Sequence, residues 1–261
     1  MAKRRTNPPC ATIKAPVTSI TTGRVGPAAT HGVLKMKTVL LASAAMFALT
    51  GAAFAGAAHP GKVAHSVPHH YVHGLPPGTV TLYDQNDNDN GVGIVSDDFD
   101  SGSFDAYDSQ IADDFKVPKG TTWKIKEVDV SGVYFNGSGP ADYVNIFVYK
   151  NVKGVPGGTV AECDQLPVTT DNFGTFGIKI PKTCPIKLGK GKYFVSVQAG
   201  INFVSGAGEW GWNTNNTQRG GPAMFRSAGG FGCTQWDTLA NCIGSYGQGP
   251  DVAFALIGTK R

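Results

Sequence analysis

The sequence predicts an all-β fold, a single β-sandwich or jelly-roll domain. Three observations predict it. From Thr79 onward, apolar and polar residues alternate over short runs, the period of a half-buried strand. The runs are separated by clusters of Gly, Pro and Asn, drawn from 35 Gly and 16 Pro, which favour turns and disfavour helices. No segment has a helical period. The 183 residues from 79 to 261 are enough for one core, and no internal repeat or second domain is visible.

Two segments precede this domain and a linker joins them to it. Residues 1–35 are rich in Pro, Thr, Ala and basic groups, and read as an upstream extension before a true start at Met36. Lys35 and Lys37 precede an apolar run, Thr38 to Phe54, that closes in Ala53-Phe54-Ala55. A positive segment, an apolar run and small residues at its end have the layout of a secretory signal peptide. Residues 36–55 are therefore expected to be cut after Ala55, giving a secreted or periplasmic protein. The run is short for a membrane-spanning helix and contains Ser43, Thr50 and Gly51. No second run of spanning length follows, so no membrane span is expected in the mature chain. Residues 56–78 hold His59, His65, His69, His70 and His73 and read as a flexible linker. A His-rich tract can bind Zn²⁺ or Cu²⁺ weakly, but no Cys or acid here supports a defined site.

The strands follow in order. Thr79–Tyr83 is short. Gln110–Val117 alternates around Ile111, Phe115 and Val117 and stops at Pro118. Trp123–Phe135 alternates through Trp123, Ile125, Val128, Val130, Val133 and Phe135, with a parity shift at Lys126-Glu127 that predicts a β-bulge. Asn136 to Pro140 is a turn cluster. Tyr143–Tyr149 alternates again, and Val155-Pro156-Gly157-Gly158 turns the chain. Phe173–Ile180, Lys192–Ala199, Glu209–Asn213, Pro222–Arg226 and Val252–Ile257 complete the set.

Charge and cysteine usage narrow the class. From Gly74 onward the chain holds 15 basic and 19 acidic residues, a net charge of −4, although the whole chain is +4. A mildly acidic domain lacks the electrostatic footprint of a nucleic-acid binder. Behind the leader, which contains Cys10, stand Cys163, Cys184, Cys233 and Cys242. An even count after a signal peptide reads as two disulfides. Three pairings are possible, and pairing of sequence neighbours is the simplest. No CxxC spacing is present, which argues against a zinc or thioredoxin-type centre.

The domain after Gly74 contains no histidine. That excludes Ser-His-Asp and Cys-His catalysis, and His-ligated catalytic zinc. An enzyme would need a carboxylate-only mechanism, as in glycoside hydrolases, with Glu127, Glu162, Glu209 or the aspartates as candidates. A better use of the acids is calcium. Asp84 to Asp114 carries ten Asp and no Lys or Arg, so self-repulsion disfavours the compact state unless a cation offsets it. Its first part, DQNDNDNG, supplies oxygen ligands within one loop. It is not an EF-hand, because the ligand positions are neutral Asn86, Asn88 and Asn90 and position 12 is Asp97. The expected Ca²⁺ ligands are Asp84, Asp87, Asp89, Asp97 and Asp98. Asp113 and Asp114 sit in the next strand and point to opposite faces.

Trp210 and Trp212 are two apart in a strand and share a face, and Trp236 follows in a Cys-bounded loop. Exposed, these rings would stack on sugars and bind an extracellular ligand such as a glycan or cell-surface component; turned inward, the pair would be core.

The run ADDF-x-VP at Ala112–Pro118 with the following Trp123 carries a family likeness. Over roughly Leu82 to Gly258 the chain resembles secreted bacterial β-sandwich (jelly-roll-like) domains found alone or as accessory modules of exoproteins. The resemblance implies fold and export and transfers no catalytic residue. The sequence-based expectation is a secreted, non-enzymatic, calcium-stabilised domain that binds an extracellular ligand such as a glycan or cell-surface component. Its alternatives are a carboxylate-based polysaccharide hydrolase and a structural envelope or matrix protein.

Overall fold

Alternation becomes strands wherever it was read. A computed structural model describes residues 60–67, 74–100 and 102–261. The upstream extension, the signal peptide and part of the His-rich linker lie outside the described residues. In chain order the strands are β1 (Val63–His65), β2 (Val80–Asp84), β3 (Asp89–Val95), β4 (Asp97–Phe99), β5 (Ser109–Val117) and β6 (Trp123–Val130). They continue with β7 (Gly132–Phe135), β8 (Tyr143–Val152), β9 (Val155–Leu166), β10 (Thr170–Asn172), β11 (Thr175–Lys179) and β12 (Ile186–Leu188). The last are β13 (Gly191–Ile201), β14 (Glu209–Asn215), β15 (Met224–Ser227), β16 (Asp237–Thr238), β17 (Asp251–Val252) and β18 (Phe254–Lys260). The one α-helix among the described residues is a short turn, α1 (Leu239–Ile243). No helix among them is long and apolar enough to cross a membrane.

The strands form three sheets. The first runs β1-β3-β14-β17, with β7 also on β14. The second runs β10-β11-β6-β18-β2, with β12 on β6. The third runs β16-β15-β5-β13-β8-β9, with β4 parallel to β13. The expected bulge is found: Ile257 pairs with Glu127 but Gly258 with Ile125, leaving Lys126 as the extra residue. The predicted strand Trp123–Phe135 is divided at Ser131. β6 belongs to the second sheet and β7 to the first, so the chain changes sheets at that corner. Gly132 is required there, since a Cβ would lie 2.4 Å from Trp210 Nε1.

Four stretches differ from expectation. Asp89–Val95 and Asp97–Phe99, read as loop, are strands, because the Gly-Val-Gly-Ile-Val run buries itself against β14. Val63–His65, within the expected linker, pairs with β3. Val155–Gly158 continues a strand, and the chain turns instead at Lys153-Gly154, whose φ values of 56 and 88 suit a two-residue hairpin.

One hydrophobic core joins all three sheets. An aromatic chain runs through it. Phe176 stacks on Trp210 at 4.9 Å between ring centroids, Trp210 meets Trp212 at 6.2 Å, and Trp212 meets Phe254 at 6.1 Å. Phe254 then stacks on Tyr83 at 5.3 Å, Tyr83 meets Phe115, and Phe115 stacks on Trp123. Both predicted disulfides join sequence neighbours. Cys163–Cys184 ties β9, an edge of the third sheet, to the segment before β12 of the second. A loop of 21 residues closed in this way contributes roughly 3 kcal/mol by chain entropy. Cys233–Cys242 closes a nine-residue loop that contains Trp236.

Candidate functional site

The two residues expected to present a Trp platform do not reach the surface. Trp210 and Trp212 are both 0% exposed. Their indole N–H groups donate to Gly174 O at 2.7 Å and Ala253 O at 2.8 Å. They share one face of β14, as the spacing requires, and that face is the core. Trp236 alone of the three retains exposure.

The five aspartates expected to bind calcium do not form one group. Asp84 accepts from Asn86 N in its own turn. Asp87 pairs with Arg219 at 2.6 Å, which holds its carboxyl below the usual range. Asp89 accepts from Gly91 N, Ser131 Oγ and Asn213 Nδ2. Asp97 is buried and accepts from Trp210 N at 2.9 Å. Asp98 accepts from Tyr143 and Asn145 on the third sheet. The new strands β3 and β4 separate these carboxylates, and each takes its own protein donor. Among the described residues no group of three or more His, Cys, Asp or Glu is placed to hold a metal ion.

What the fold does assemble is a polar row across the outer face of the third sheet. Register dictates it. Arg226 lies opposite Gln110, Gln110 is in line with Gln198 through the β5–β13 pairing, and Gln198 lies opposite Asn145. On the other side, the β15–β16 register extended by one pair places Trp236 opposite Arg226. Four strands and the residue just before β16 thus deliver one side chain each to a single line.

The line is hydrogen-bonded along its length. The Arg226 guanidinium lies 4.6 Å from the centre of the Trp236 ring. Its Nε and Nη2 donate to Gln110 Oε1 at 3.2 and 2.8 Å. Gln110 Nε2 and Asn145 Nδ2 both reach Gln198 Oε1 at 3.4 Å. Gln198 Nε2 is fixed by Asp97 O and Ser109 O at 3.1 and 3.0 Å. Asn145 Nδ2 then donates to Asp98 Oδ2 at 2.9 Å, which Tyr143 also contacts. Tyr149, two rows further, turns its hydroxyl to Gln110 Oε1 at 3.0 Å, and burial pushes it up to about 12. Its ring stacks on Phe147 and meets the edge of Trp236.

A cavity of about 260 Å³ opens on this row, lined by Asp108, Ser109, Gln110, Gln198, Arg226 and Thr234 among others. Asp108 accepts from Phe99 N, and burial followed by the charge of Asp98 raises it to about 6. The site therefore offers a partly exposed indole and a guanidinium fixed by buried amides, beside a carboxyl that changes charge near pH 6. The Cys233–Cys242 bridge closes the loop that positions the indole.

Of this set, only Trp236 was marked by the sequence. A signal for the rest exists. Gln110, Gln198 and Asn145 are polar residues flanked by apolar ones on the opposite face of their strands, and each occupies a position facing away from the core. Fold and site together define a disulfide-bonded all-β domain with a polar, aromatic-edged cavity on one sheet face. No family model, curated protein or solved structure matches the chain.

Proposed function

We propose that this protein is a secreted, non-enzymatic domain that binds a glycan on the outer face of its third sheet. The supporting observation is the Trp236–Arg226–Gln110–Gln198–Asn145 row. A guanidinium held in place by buried amides suits the hydroxyls of a sugar, and a partly exposed indole suits its apolar face. Fixing these groups beforehand lowers the entropy lost on binding. The two disulfides support an oxidising extracellular setting.

The test is retention on immobilised polysaccharides, followed by titration with the oligosaccharide that binds best. Trp236→Ala is expected to weaken binding tenfold or more, with an unchanged melting midpoint, because truncated aromatic anchors commonly cost over 1 kcal/mol. Absence of retention on every polysaccharide would leave the structural matrix role as the better account.

The raised Asp108 favours a second reading, hydrolysis of the bound polysaccharide with Asp108 as proton donor and Asp98 as its carboxylate partner. Release of reducing ends, abolished in Asp108→Asn while binding persists, would establish it. Binding with no release rejects it. Glu209, a candidate acid by sequence, is 0% exposed and cannot meet a substrate there.

A further inference from the structure

The outer face of the third sheet has a second charged end. Along β5 from Gln110, six residues further on, Lys116 lies directly opposite Lys192 of β13. At about 3.4 Å per residue this is roughly 20 Å from the amide row. Both lysines are exposed. They line a cavity of about 360 Å³ with Tyr83, Asp114, Arg219 and Gly220.

Like charges directly opposite on adjacent antiparallel strands destabilise a sheet. Neither lysine forms an ion pair within the described residues, and neither does Arg226 at the other end. The carboxylates of this face are instead held by neutral donors. Asp98 is taken by Tyr143 and Asn145, and Asp114 by Gly221 N and Asn151 Nδ2. Lys192 lies near enough to Asp114 to favour its charged form, yet forms no ion pair with it. Acids are thus satisfied by amides and hydroxyls, while three cations at the two ends of one face form no ion pair. In a domain of net charge −4 from Gly74 onward, this placement is selective rather than a general excess of base.

We infer that the ligand is an acidic glycan, whose carboxylate or sulfate groups meet Arg226 at one end of the face and Lys116 and Lys192 at the other. This rests on the glycan reading above. A chain lying across Trp236 and the partly exposed Phe147 would place its anionic groups at both ends. The cost of opposing the two lysines is then offset only in the complex.

The experiment compares polygalacturonate (carboxylate), chondroitin sulfate (sulfate) and uncharged dextran by affinity electrophoresis at low and high salt. A DNA oligonucleotide serves as a non-glycan polyanion. One or both acidic polysaccharides are expected to bind, more tightly than dextran and less well as salt rises. The Lys116→Ala/Lys192→Ala variant should lose about tenfold in affinity for them, and Lys116→Arg/Lys192→Arg should retain it. Both lysines are exposed, so the melting midpoint of either variant should match or exceed that of the parent. Dextran bound as tightly as the acidic chains would overturn the inference and leave the glycan reading standing. Equal retention of DNA would also overturn it, by showing a surface that reads charge alone. Retention of no polysaccharide at all overturns both.

Discussion

Trp210→Ala is expected to destabilise the fold by about 3–5 kcal/mol, the range for deleting a large aromatic from a packed core. The ring is 0% exposed and central to the aromatic chain, stacked on Phe176 at 4.9 Å with planes 17° apart and adjoining Trp212. Its deletion also leaves the Gly174 carbonyl without the indole donor at 2.7 Å. A buried carbonyl that loses its partner adds roughly 1–3 kcal/mol. Small domains have only about 5–15 kcal/mol in total, so this one change removes a large share. Trp210→Phe keeps most of the apolar volume and loses the hydrogen bond, so its cost should be clearly smaller. Urea midpoints of the two variants measure the difference. A loss below about 1 kcal/mol in Trp210→Ala would contradict the placement of this ring in the core. The contrast with Trp236→Ala is diagnostic, since that variant should melt normally and bind at least tenfold more weakly.

The Trp residues also show what could be read in advance. Spacing two apart placed Trp210 and Trp212 on a common face of a strand, and they are on one. Spacing says nothing of which face is the core, because that depends on what packs above each side. Here Phe176 and Phe254 of the second sheet settle it. Strand periodicity and even the bulge at Lys126 were legible because they are local. β3 was not, because Asp89 and Asn90 belong to a composition that reads as loop, while the strand is held by long-range pairing with β14. The amide row is further out of reach. Gln110, Gln198, Asn145 and Arg226 lie on four different strands, and a slip of one residue in any pairing would turn that strand's contribution to the other face. Polar residues at alternate positions signalled a face, and register alone made it a site.

The acids carry the second large prediction, and it concerns pH. Asp97, Asp113, Glu209 and Asp251 are all 0% exposed. Burial is the main cause that raises each of them, Glu209 and Asp251 to about 7. Asp97 Oδ1, Glu209 Oε1 and Asp251 Oδ1 accept no hydrogen bond, although the other oxygen of each does. Continuing the β3–β14 register places Glu209 opposite Asp97, and the two charges disfavour each other. Asp113 and Asp251 repel in the same way. In the unfolded chain these groups titrate near pH 4. Between about pH 4 and 7 the native state therefore holds more protons than the unfolded state, and stability falls as pH rises, by up to ~1.4 kcal/mol per unit for each group. The stabilisation is complete below the unfolded value and is lost as pH passes through about 7. In the presence of a chelator, the melting midpoint is expected to be higher near pH 5 than at pH 8. The underlying difference in unfolding free energy should be on the order of 3–6 kcal/mol if Glu209 and Asp251 alone account for it. Glu209→Gln removes one titration, since an amide oxygen can still accept from Asn136 Nδ2, and its profile should be flatter. A midpoint that is level or rising from pH 5 to pH 8 would refute the protonated state. Repeating the melt at pH 8 with calcium separates the two means of neutralising these oxygens: a proton leaves the midpoint indifferent to the ion, whereas a cation seated among the buried acids would raise it.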